Sequence, residues 1–158
     1  MNKTVKSISL KNLKPFNSRL KLENWEKIFN IWLEEPRRLD MRLFLNATES
    51  SPYNKIALGD LDAKDAPPCG TVGCLAGWSA ALVGNRSDEI YDFLGITYDE
   101  AKNRVYYVYV WPDKYSLRYT RIEDMIEKRT SNRQFIKLKE KLVRVTIGRF
   151  RYFLRTGK

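Results

Sequence analysis

Apolar positions recur at steps of three and four through LENWEKIFNIWL, residues 22–33, where Leu22, Trp25, Ile28, Phe29 and Trp32 fall on one side. That period predicts an amphipathic helix, and Pro36 marks the break after it. The next stretch, RLDMRLFL at 38–45, has a different rhythm. Leu39, Met41, Leu43 and Leu45 alternate with Arg38, Asp40, Arg42 and Phe44. Period two predicts a short strand with one buried face, with a helix as the alternative. Residues 46–68 are rich in Asn, Ser, Gly and Asp and hold three prolines. They read as a long loop with one helical turn near Tyr53–Leu58.

Helical patterning resumes in VGCLAGWSAALV, residues 72–83, with Thr71 as N-cap and Gly84-Asn85 as the stop. Ser87 to Leu94 reads as a short helix capped by Ser87 and closed by Gly95. Thr97 then caps YDEAKNRVYYV, with Asp99 and Glu100 in its first turn, and Trp111-Pro112 ends it. Residues 117–129 read as a helix with Ile122, Met125 and Ile126 inward. In residues 132–155, Ile136, Val143, Ile147, Phe150 and Leu154 share a helical face. Arg133, Lys137, Lys141, Arg144, Arg151 and Arg155 form a stripe beside it. LVRVTI also alternates, so a strand stays open there, as does a division into two helices at Gly148.

These elements predict a mainly α, compact single helical domain carrying a small β-ribbon, with α+β as the minor alternative. The domain spans 21–158, residues 1–20 are expected to be loosely ordered, and the 72–83 helix is its centre. The expected core is Trp25, Phe29, Trp32, Leu43, Leu75, Trp78, Phe93 and Ile96.

The length of 158 residues suits one domain that folds without disulfide or metal. Apolar residues make up 43% and charged residues 30%, a globular rather than disordered balance. No run of about 18 apolar residues exists to cross a membrane. No apolar region follows Lys3 and Lys6 as a signal peptide would require. Two cysteines fit a cytoplasmic setting. Charge changes the picture most. Residues 1–113 hold 15 Lys and Arg against 15 Asp and Glu, whereas residues 114–158 hold 14 against 4. The whole net charge of +10 therefore sits in the basic C-terminal region. It implies either an anionic partner or a solvated helical face.

CGTVGCLAGW, residues 69–78, is the densest candidate for chemistry. A zinc site needs about four nitrogen or sulfur ligands, and the chain has two cysteines and no histidine, so no metal is expected. Thiol catalysis of the cysteine–histidine type lacks its base. Cys74 at a helix start could still be activated by the dipole, and Cys69 with Cys74 could form a redox pair. Gly70, Thr71 and Gly73 could leave open amides that cradle an anion. The plainest reading is packing: small residues let the helix approach its neighbours, cysteine acts as a small buried hydrophobe, and Trp78 anchors the core.

The order of features, LDM (Leu39–Met41), CGTVGCLAGW, FLGITYDEAKNRVYYVYVWP (Phe93–Pro112) and TIGRFRYFLRTGK (Thr146–Lys158), resembles a set of small bacteriophage and prophage proteins. Their shared pattern is a CGT-x-x-C-x-AG-W/H core, a later LG[LI]T-x-x-[QE]A segment, an aromatic-Trp-Pro stretch and a closing Arg-rich helix. The resemblance covers residues 38–158 and implies a phage-type accessory protein, with anti-defence as one role and the cytoplasm of an infected bacterial host as its setting. The chain departs from the pattern in a longer basic insertion near Glu127–Lys141.

These observations leave three classes of function. The first is a non-enzymatic accessory protein without cofactor that binds nucleic acid, a nucleotide signal or an acidic host protein. Its anion-binding residues are Gly70, Thr71, Gly73 and the stripe Arg133, Lys137, Lys141, Arg144, Arg151 and Arg155. Tyr115, Tyr119 and Tyr152 stack, and Phe150 lies among the same basic residues. The second is a thiol-dependent enzyme using Cys69 or Cys74. The third is a virion or assembly component whose basic end docks on nucleic acid or an acidic surface.

Overall fold

The computed structural model describes residues 7–41, 45–46, 72–83 and 87–158. The first amphipathic run forms α1 (Leu22–Glu34), with Trp25, Ile28, Phe29 and Trp32 all buried. A 3-10 turn at Pro36–Arg38 comes next. Proline at its start suits a turn whose first N–H has no partner in the helix. Within the alternation at 38–45 the described residues form an isolated bridge at Leu39 and enter strand at β1 (Leu45–Asn46), and Arg42, Leu43 and Phe44 lie outside the described residues. β1 pairs antiparallel with β2 (Val72–Gly73), placing Leu45 opposite Gly73 and Asn46 opposite Val72. The fold is mainly α, with this two-stranded ribbon at its side.

The helix expected over 72–83 starts later, as α2 (Leu75–Val83), because Val72 and Gly73 are taken by the ribbon. α3 (Ser87–Leu94) ends as its pattern predicts. Gly95 takes a left-handed φ of 72°, and its N–H and that of Ile96 both return to the Tyr91 carbonyl. The side chains of α1 then satisfy the last carbonyls of α3. Asn24 donates to Phe93 O at 2.7 Å and Trp25 Nε1 to Leu94 O at 2.8 Å.

Thr97 and Glu100 form a reciprocal capping box at the start of α4 (Tyr98–Glu100). The helix widens at once into a π turn, Ala101–Val105, in which the Tyr106 N–H reaches back to Ala101 O at 2.8 Å. The carbonyls released at its end are met by side chains from elsewhere. Trp111 Nε1 donates to Val105 O at 2.9 Å, and Arg149 donates to Arg104 O. A 3-10 turn, Val108–Val110, leads through Trp111-Pro112 into α5 (Asp113–Glu127). Ile122 and Ile126 of α5 are buried as expected, but Met125 faces outward.

Residues 132–155 form neither a strand nor two helices. They belong to one helix, α6 (Asn132–Thr156), capped by the Ser131 hydroxyl on the Gln134 N–H and closed by left-handed Gly157. The alternation in LVRVTI misleads because α6 is buried over a wide arc. Leu142, Val143, Val145, Thr146 and Ile147 are all inside, and Arg144 alone of the six is exposed. Its aromatic centre is shared with α1 and the Trp111 turn. Phe150 lies within 6.2 Å, centroid to centroid, of Trp25, Phe29, Trp32 and Trp111. The described members of the expected core, Trp25, Phe29, Trp32, Leu75, Trp78, Phe93 and Ile96, are buried.

The N-terminal segment corrects an expectation. Residues 7–20 are docked rather than loose. Ile8 exchanges two hydrogen bonds with the Asn30 side chain, the Leu10 N–H donates to Glu26, and Phe16 N–H donates to Leu154 O at 2.8 Å. Leu10 and Leu20 are buried. Single apolar residues in a polar stretch carry no periodicity, so this docking left no pattern to read.

Candidate functional site

Among the described residues, two places bring polar side chains together. The first is the segment Arg38–Met41, which is gripped through its backbone by three elements. Trp78 Nε1 of α2 donates to Arg38 O at 2.9 Å. Lys139 of α6 donates to Leu39 O at 2.6 Å, and the Met41 N–H donates to the Tyr119 hydroxyl of α5 at 3.0 Å. Tyr119 is fully buried, edge-on to Trp111, so it is withdrawn from the stacking set proposed from sequence.

Cys74 lies beside this grip and immediately precedes α2. Its sulfur accepts the Gly77 N–H at 3.4 Å, so the thiol itself caps the helix. Burial pushes the thiol above its ordinary value and the charge of Asp40 adds to this, outweighing the amides of Gly77 and Ala76. The activated thiolate envisaged for a helix N-terminus is therefore not what the fold builds. The anion cradle changes in the same way. Gly73 is committed to the ribbon, Cys74, Leu75 and Ala76 are buried, and Gly70, Thr71 and Cys69 lie outside the described residues. Among the described residues no group of acidic and cysteine side chains is arranged to hold a metal.

The second place is an open groove of about 520 Å³ between α5 and α6. Tyr115, Arg118, Arg121, Ile122 and Met125 line one wall, and Lys141, Arg144, Val145 and Gly148 the other. Residues 128–131 join the helices, so they run antiparallel, with the start of α5 beside the end of α6. Arg118 and Arg121 are one turn apart, as are Lys141 and Arg144, which aims each pair along its wall. All four cations are exposed, no carboxylate lines the groove, and none of the four pairs with an acid among the described residues. The groove floor is apolar, from Ile122 and Val145.

Of the stripe read from sequence, Lys141 and Arg144 enter this groove. Arg144 also borders a neighbouring depression of about 610 Å³ with Arg151, Ile8, Leu33, Ile147 and Gly148. Arg133, Lys137 and Arg155 are exposed on α6 and line neither. Tyr115 and Tyr152 meet with centroids 6.0 Å apart at a 40° tilt, and both are half-buried. Sequence reasoning missed Arg118 and Arg121, whose spacing of three was the available signal. It also missed two buried cations of α6, Lys139 and Arg149. Arg149 is fully buried at three residues from Thr146 and four from Phe153, in line with the core. It donates to the backbone oxygens of Lys158 and Arg104, and its Nε has no acceptor among the described residues. Burial lowers its pKa to about 10, so it stays charged at neutral pH.

No family model, curated protein or solved structure matches the chain. No described helix is long and apolar enough to cross a membrane.

Proposed function

We propose that this protein is a non-enzymatic nucleic-acid-binding protein whose α5–α6 groove receives the phosphate backbone. One observation carries the reading: Arg118, Arg121, Lys141 and Arg144 converge on one concave surface where no acid among the described residues lines the walls to neutralise them. A solvated helical face scatters its charges and pairs them with acids along the same helix. Here the four acids of the basic region, Glu123, Asp124, Glu127 and Glu140, all stay out of the groove walls. Arginine outnumbers lysine in those walls, and its planar fork suits phosphate oxygens. The thiol-enzyme alternative gains no support from a buried, proton-retaining Cys74.

Fluorescence anisotropy with labelled oligonucleotides across a salt series tests this. Four phosphate contacts give a slope of log K against log salt of about −3 for a single strand. An affinity for oligonucleotides that ignores salt, or no affinity at low salt, overturns the proposal. Binding confined to an acidic protein overturns it as well.

A further inference from the structure

Resting on that reading, we infer that the groove is built for single-stranded nucleic acid, with a base stacked at the Tyr115–Tyr152 end and phosphates along the cationic walls. The order of side chains is the first support. Along α5 the groove meets Tyr115, Arg118 and Arg121. Along antiparallel α6 it meets Gly148, Arg144 and Lys141 in the same direction, with Tyr152 one turn beyond Gly148. The α5 wall therefore passes from aromatic to cationic, and on α6 the Tyr152 ring lies one turn past the end of the cationic wall. Lys141 to Tyr152 spans about 16 Å at roughly 1.5 Å per residue.

The second support is Gly148. A Cβ built there would make one ordinary contact among the described residues, with Tyr115 Cε1 at 3.8 Å. The missing side chain keeps the groove shallow-walled beside the Tyr115 ring, and any side chain longer than alanine there would extend into it. The Tyr115 ring also carries Lys114 Nζ at 5.5 Å from its centroid. The third support is Arg149. Its guanidinium interacts electrostatically with both Tyr115 and Tyr152 and so lies close to the stacking end.

The aromatic end selects the strand state. A duplex keeps its base faces stacked inside and offers nothing to a tyrosine, whereas unpaired bases stack on aromatic rings without regard to sequence.

The test compares a thymidine oligonucleotide of about ten residues with a duplex of equal length, by anisotropy at matched salt, a probe size within the range of about 4–16 nucleotides that such grooves cover. The wild-type protein should bind the single strand about tenfold or more tightly. Tyr152→Ala and Gly148→Leu should each remove most of that preference. Tyr152→Phe should retain it. Thermal melting of each variant checks the fold, and the wild-type comparison stands without any variant. Equal affinity for the two probes, or single-strand affinity indifferent to Tyr152→Ala and Gly148→Leu, overturns the single-strand inference and leaves nucleic-acid binding standing. Binding of neither probe overturns the function proposed above.

Discussion

The ammonium of Lys139 donates to the carbonyl of Leu39 at 2.6 Å, joining positions one hundred residues apart. The contact is buried, and the Phe135 ring lies 5.8 Å from the same nitrogen. Replacing Lys139 by Met leaves the Leu39 carbonyl without that donor. A buried hydrogen bond to a charged group is worth about 1.5–3 kcal/mol, and Lys139→Met should lower stability by that amount. Urea denaturation measures it, and an unchanged midpoint would show that the carbonyl is satisfied without the lysine.

Tyr119→Phe separates core from site. It removes the hydroxyl that accepts from the Met41 N–H while keeping the ring against Trp111. Stability should fall by about 1 kcal/mol, and oligonucleotide affinity should stay the same. A loss of affinity at unchanged stability would return Tyr119 to the binding surface.

Cys74 should behave as a structural thiol. Its folded pKa is raised above the ordinary value of 9.0, so the folded state holds the proton more firmly than the unfolded one. The associated stability is fully present below pH 9.0 and is lost as pH rises towards the folded value. Iodoacetamide labelling of the peptide containing Cys74 should be slow at pH 7.5 in the native protein and fast in urea. Rapid native labelling would mark a reactive thiol and revive an enzyme. Cys74→Val removes the cap and should cost about 1 kcal/mol.

Two glycines should answer alanine oppositely. At Gly95 a Cβ would meet the Arg19 carbonyl oxygen at 2.1 Å, and φ is +72°. Gly95→Ala therefore forces backbone apart and should destabilise by more than about 1 kcal/mol. Gly148 lies mid-helix with only an ordinary contact, so Gly148→Ala should stabilise by about 0.5–1 kcal/mol. Thermal melting of the pair decides it, and a destabilised Gly148→Ala would mean that α6 needs the bare backbone there.

Replacing Arg118, Arg121, Lys141 and Arg144 together by Gln should leave the melting temperature almost unchanged, because all four are exposed. Oligonucleotide binding at low salt should fall by at least about 100-fold, and its salt slope should flatten towards zero. The matching control, Arg133, Lys137 and Arg155 replaced by Gln, should do much less. Equal losses from both sets would assign binding to net charge rather than to the groove.

Long amphipathic runs were readable in advance. α1 follows its apolar spacing, α3 stops at Gly95, and α4 starts from the Thr97 cap. Local signals failed where tertiary structure decided the outcome. Val72 and Gly73 look like the start of a helix and become a strand because β1 supplies a partner. The 142–147 run looks two-faced because neighbours cover α6 from more than one side. The candidate site was half legible. Lys141, Arg144, Tyr115 and Tyr152 stood out by charge and ring, but the groove needs α5 laid against α6, a pairing that no single-helix pattern encodes. Arg149 shows the limit of charge as a guide, since an arginine on the core stripe looks like surface until its carbonyl partners are known.

The π turn at Ala101–Val105 takes up more chain than an α-helical turn would, and it sets the rotational phase of the chain beyond it. Closing it to α-helical winding at the same chain length would rotate the downstream chain by about 100° about the axis. Trp111 would swing off Phe150, and Arg149 would lose the carbonyl of Arg104. The turn thus works as a phase adjuster between the first half of the chain and the α5–α6 pair.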